Sequence, residues 1–149
     1  MVGMAIPSAL DTLIELATKA TDEAAKRLGR AIRNTEDAEQ KLALLQQYRD
    51  DYTARFQTNM MAGVTASGYR NFQLFLGKLD DAINGQQRVV QDAQKRVSNE
   101  RSAWQQTERK RMSYDTLATR AQKVQQLKET RRDQKQTDEF AARRLIYKR

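Results

Sequence analysis

The sequence predicts an all-α protein: two long helices forming an antiparallel coiled-coil hairpin, with the C-terminal helix overhanging. Three observations predict it. Ala, Glu, Lys, Leu, Arg and Gln supply 83 of the 149 residues, and these side chains lose little freedom in a helix. Apolar residues recur every 3.5 positions along most of the chain, the repeat of a left-handed coiled coil. One cluster of turn residues interrupts that repeat, and a single proline with six glycines is too little turn chemistry for a many-stranded β fold.

The first helix is expected over about 8–58. Pro7-Ser8-Ala9-Leu10-Asp11 reads as its start, with Ser8 as cap and Asp11 three residues on in a capping-box arrangement. One contact row is Leu10, Ala17, Ala24, Ala31, Ala38, Leu45 and Tyr52; the other is Ile14, Thr21, Leu28, Thr35, Leu42, Arg49 and Phe56. Small residues dominate from Ala17 to Ala38, which predicts close but weak packing there. The loop is expected over about 59–68, where Gly63 and Gly68 flank Thr65 and Ser67, with Ser67 capping the next helix.

The second helix is expected over about 69–145, giving a single coiled-coil domain over 1–149. Its rows are Phe72, Leu79, Gln86, Ala93 and Leu76, Ile83, Val90, Val97, Trp104. At Thr107 and Arg111 the apolar pattern weakens; it resumes one position early at Leu117, Ala121 and Val124, which reads as a stutter. Glu15 with Lys19, Glu23 with Arg27 and Asp92 with Arg96 have the four-residue spacing of same-helix ion pairs. A short turn makes the helices antiparallel neighbours, with paired positions whose numbers sum to about 127, so Tyr52 is expected beside Phe75. In that register nothing in the chain pairs with residues beyond about 120.

One flank of the seam is greasy near the turn: Tyr48, Phe75, Ala82 and Val89 lie beside it. The opposite flank carries Glu39, Gln46, Thr53, Gln73, Asp80 and Gln87. A two-helix core needs no such extra stripe. These aromatics either thicken the core near the turn or meet a partner, and the residues leave both readings open.

Charge is uneven. Residues 1–75 are neutral overall and the net +8 comes from 76–149. The overhang of about 120–149 holds ten basic and four acidic side chains, including Arg131-Arg132, Arg143-Arg144 and Lys148-Arg149. Such a segment is steered to an acidic partner. The same charge fits a coiled-coil nucleic-acid binder, although aromatic interleaving and zinc spacing are missing. A self-associating scaffold is the other alternative. Neither Cys nor His is present, which removes thiol nucleophiles, imidazole bases and the usual zinc ligands. Phosphate-loop and nucleophile-elbow motifs are absent as well. The acids at Asp50-Asp51 and Asp80-Asp81 read as solvated helix faces. The expectation is a protein that is not an enzyme, with no catalytic residues, metal, cofactor or small-molecule substrate. No basic residue precedes Lys19 and no apolar run reaches ~18 residues, so a cytoplasmic location is expected.

Leu45-Gln-Gln-Tyr48-Arg-Asp-Asp-Tyr52, the loop, and Asn71-Phe72-Gln73-Leu74-Phe75-Leu76-Gly77-Lys78-Leu79 resemble the FliJ family, small coiled-coil proteins of the bacterial flagellar type III export apparatus. The specific part is the tail, Asp133-Gln134-Lys135-Gln136-Thr137-Asp138-Glu139-Phe140-Ala141-Ala142-Arg143, which fits that family's D-Q-K-x-x-D-E-F-A-x-R pattern. The resemblance implies a non-enzymatic stalk, adaptor and general chaperone, held peripherally at the cytoplasmic face of the cell membrane. Its implied partners are the export ATPase FliI, the export gate protein FlhA and chaperones of export substrates, with no nucleic acid. Carried over by position, the gate would be met by Leu45, Tyr48, Tyr52, Phe75, Leu79 and Ala82. The tail, with Arg131, Arg132, Asp133, Gln134, Lys135, Asp138, Glu139, Phe140 and Arg143, would lie toward the ATPase ring.

Overall fold

Heptad rows can bury themselves only against a second helix, and that is how the chain folds. The computed structural model describes the backbone of residues 2–147 and the side chains of residues 9–147. Helix α1 runs Val2–Met61 and helix α2 runs Ala66–Tyr147. The helices pack against each other as an antiparallel pair, as the heptads predict. Two compact units are formed: Asp22–Gln105, which contains the turn, and a second unit that joins α1 up to Thr21 with α2 from Gln106.

The helix ends differ from the expected ones. α1 starts at Val2, so Ser8 lies within the helix and Pro7 stands six residues into it. The Ser8 side chain, and with it the expected capping box, lies outside the described residues. The turn takes four residues, 62–65, where ten were expected. Ala62 and Gly63 donate to the carbonyls of Asn59 and Met60, both at 3.1 Å, which tightens the last turn of α1. Gly63 then adopts φ 95°, the left-handed conformation that favours glycine after a helix. Thr65, not Ser67, caps α2: its hydroxyl accepts from the Gly68 amide at 3.1 Å, three residues into the helix. Ser67 sits beside it, the two hydroxyls 3.3 Å apart.

In the Asp22–Gln105 unit, Ala24, Ala31, Ala38 and Thr35 are buried on α1, and Phe72, Leu79, Ile83 and Val90 on α2. All belong to the predicted rows. The remaining row positions in this unit, such as Leu28, Leu42, Leu45, Leu76 and Val97, are half-buried, because two helices leave each side of a seam open to water. Ala24 is 0% exposed. The small Ala38 side chain leaves its own carbonyl within reach, and Gln86 on the facing helix donates to it at 3.0 Å. Arg49, a charged residue in a contact row, is bonded to Asp80 across the seam at 2.5 Å. Arg27, expected to pair with Glu23, reaches instead across to Glu100 at 3.4 Å. A pair along one helix is worth only ~0.2–0.5 kcal/mol, so little holds Arg27 to it.

The second unit corrects the expected stutter. After Trp104 the least exposed residues are Thr107, Glu108, Arg111, Tyr114, Asp115 and Ala118; Thr107, Tyr114 and Arg111, Ala118 continue the two rows without a break, with Glu108 and Asp115 beside them. Leu117, Ala121 and Val124 are exposed. Arg111 can hold a contact-row position because it is bonded to Glu108 and Asp115 on its own helix. On α1, Ala17 and Thr21 are buried, and among the described residues the Thr21 hydroxyl has no hydrogen-bond partner. From Thr119 to Tyr147 every residue is exposed.

Candidate docking surfaces

Six rings gather on the turn side of the Asp22–Gln105 unit. Phe56 and Phe72 stack with centroids 3.7 Å apart and planes at 6°. Tyr52 stacks on Phe72 at 5.3 Å and meets Phe75 edge-on at 4.7 Å, the neighbour expected from the register. Tyr48 meets Phe75 edge-on at 6.2 Å, and Tyr69 leans on Phe56 at 6.0 Å. The chain of contacts therefore passes from stacked rings inside the seam to rings on its flank.

The six residues assigned to a gate surface divide by depth. Leu79 is 7% exposed and holds the hairpin together. Leu45, Tyr52 and Phe75 are half-buried. Tyr48, 50% exposed, and Ala82 stand open to solvent, and the exposed Val89 continues the same flank. Tyr69 is a member of the cluster that the sequence reading missed. It lies one heptad before Leu76, but the helix was expected to begin only there, so the row was not extended back to it.

On the opposite flank, an open depression of about 380 Å³ is lined by Gln46, Arg49, Asp50, Asp80 and Ile83. The hydrogen bond to Asp80 pushes the Arg49 guanidinium above its ordinary pKa, so the cation is held charged. Asp80 is engaged by Arg49 while its side chain stays 45% exposed, on the solvated helix face that the sequence predicts. In the other unit, Arg111 bonded to Glu108 pulls that carboxyl below its ordinary value, against the opposing effect of burial. Among the described residues no group of three or more acids is placed to hold a metal, and no helix is long and apolar enough to cross a membrane.

The family model described as flagellar FliJ protein matches residues 7–149. The flagellar FliJ proteins of Escherichia coli (strain K12) and of Salmonella typhi are each 32% identical over 145 residues, covering 97% of this chain and 99% of the relative. The chain belongs to the flagellar FliJ family. The FliJ match extends through both the aromatic flank and the tail. Every tail residue singled out above, from Arg131 to Arg143, is helical and exposed. Hydrogen bonds of the tail stay on their own helix, as in Thr137 to the Asp133 carbonyl at 2.9 Å and Gln125 to Glu129 at 3.3 Å. This FliJ-family chain thus offers a fixed aromatic flank in one unit and a basic, apolar-studded helix in the other.

Proposed function

We propose that this chain is a non-enzymatic stalk, adaptor and chaperone of the bacterial flagellar type III export apparatus, working peripherally at the cytoplasmic face of the membrane. The aromatic flank, with Leu45, Tyr48, Tyr52, Phe75, Leu79 and Ala82, docks the export gate FlhA. Leu79 contributes by fixing the rings and the others by contact. The tail residues Arg131, Arg132, Asp133, Gln134, Lys135, Asp138, Glu139, Phe140 and Arg143 meet the FliI ATPase ring, and the protein also receives chaperones of export substrates. Coupling follows if each partner binds one state of the other's complex better, an effect that thermodynamics makes reciprocal.

The observation that carries this reading is the Tyr48–Phe75 contact. Two large side chains lie outside the seam, yet they hold each other at 6.2 Å and in register with the stacked rings. A pre-ordered aromatic pair loses little entropy on docking, which is why such residues anchor interfaces. The tail supplies charge for approach to an acidic surface, a contribution to rate more than to affinity.

Titration calorimetry of the full chain against the purified cytoplasmic part of the export gate tests it. Tyr48→Ala with Phe75→Ala should weaken binding by about tenfold or more, as loss of two anchors does, while the helical circular dichroism stays at the parent level. Unchanged affinity would remove the gate from this flank. Loss of helicity would assign both rings to the core.

A further inference from the structure

The turn itself carries a feature that the aromatic flank leaves unexplained. α1 ends in Met60 and Met61, 53% and 94% exposed, and Val64 follows beyond the Gly63 reversal. Their setting is firm. A Cβ added at Gly68 would lie 3.1 Å from a Val64 methyl, so Val64 is seated over that glycine. Thr65 locks the first turn of α2 beneath it, and the Phe56–Phe72 stack lies directly below in both helices. Two flexible thioethers thus stand at the end of a stiff support.

The charge around them has one sign. Nearer the turn than Asp50-Asp51 and the positions paired with them, over 52–75, there is no Asp or Glu, whereas Arg55 and Arg70 are present. An apolar apex with a cationic collar matches a surface that is apolar at its centre and anionic at its rim. A lipid bilayer and a protein socket both have that character. The apex is too small for stable lipid anchoring, since even a whole acyl chain gives only marginal, reversible attachment. Methionine, unbranched and polarisable, instead conforms to irregular apolar cavities of proteins.

We infer that the turn is a plug: Met60 and Met61 enter an apolar socket rimmed by carboxylates on the same protein that takes the aromatic flank. This rests on the gate reading above, with which the turn is continuous through Phe56, Phe72 and Phe75. The plug fixes how far the hairpin advances into its partner, and the flank then fixes its rotation.

The test compares three variants of the full chain against the purified cytoplasmic part of the export gate, with vesicles of phosphatidylglycerol and phosphatidylcholine as a second arm. Met60→Ser with Met61→Ser should weaken gate binding about tenfold with no change in thermal unfolding, because both side chains are already in solvent. Arg55→Gln with Arg70→Gln should flatten the dependence of affinity on salt. Parent-level binding by the methionine variant, alongside loss in Tyr48→Ala/Phe75→Ala, would overturn the plug and leave the gate reading standing. Parent-level binding by both would end the gate reading and the plug together. Sedimentation with anionic vesicles that disappears in the methionine variant would make the turn a lipid contact and overturn the protein socket.

Discussion

The ring-lined end of the Asp22–Gln105 unit and its alanine stretch follow the same heptad, and they differ in almost everything else. Near the turn, Tyr52, Phe56 and Phe72 fill the seam and spread onto its flank. Between Ala24 and Ala38 the contact row is alanine, and Thr35 turns its hydroxyl back to the Ala31 carbonyl at 2.9 Å. The alanines are the more completely buried, yet each removes little apolar surface from water. The aromatic residues are more exposed in part but remove far more. Phase of the repeat decides which positions touch; side-chain size decides how closely the backbones approach and how strongly they hold. The Gln86 bond to the Ala38 carbonyl is possible only on the close-packed side of that division.

Substitutions that exchange these characters test the contrast. The largest effect is expected for Phe72→Ala, which removes the ring that both Tyr52 and Phe56 stack on; urea denaturation should show a loss of about 3–5 kcal/mol. A loss under about 1 kcal/mol, the size of a surface substitution, would mean the rings contribute little to the hairpin. Ala24→Leu, which gives the alanine stretch a large side chain, should cost about 1–3 kcal/mol by overpacking. A gain in stability would show that the helices can move apart there at no cost. The smallest effect concerns acid. Arg111 lowers the Glu108 pKa on folding, so the stability it confers is present above the ordinary carboxylate range near 4.5 and is lost as the pH falls through the lowered value. Thermal unfolding between neutral pH and pH 3 should therefore depend on pH slightly less in Glu108→Gln than in the parent. Identical pH profiles would remove that contribution.

How much of this was legible in the residues depended on whether apolar character and position coincided. Both rows of α1 read correctly from Leu10 to Phe56, even through Thr21, Thr35 and Arg49, because apolar residues on either side held the phase. Past Trp104 the phase was kept by Thr107, Arg111 and Tyr114, and the polar members hid it. Arg111 is tolerated there through Glu108 and Asp115, three and four residues away on its own helix, a spacing that the sequence itself displays. The cap of α2 was misplaced for a different reason: Thr65 and Ser67 offer the same hydroxyl chemistry, and α2 begins at Ala66, earlier than expected, which puts Thr65 at the cap and Ser67 inside the first turn. Of the docking flank, the stripe of Tyr48, Phe75 and Ala82 was visible as a pattern. That Leu79 is spent inside the hairpin, and that Tyr69 joins the rings, follows from packing depth, which a heptad wheel does not encode.

Among the described residues, polar ties that cross the seam of the Asp22–Gln105 unit are Arg27 to Glu100, Gln86 to the Ala38 carbonyl, Arg49 to Asp80 and, at 3.5 Å, Gln94 to Glu39. They act as pawls against slippage. Sliding one helix past the other by a single turn, about 5.4 Å, would strand these ties at once along with the ring stack. A push on one strand of this unit is therefore passed to the other as a shared displacement and is not dissipated in sliding.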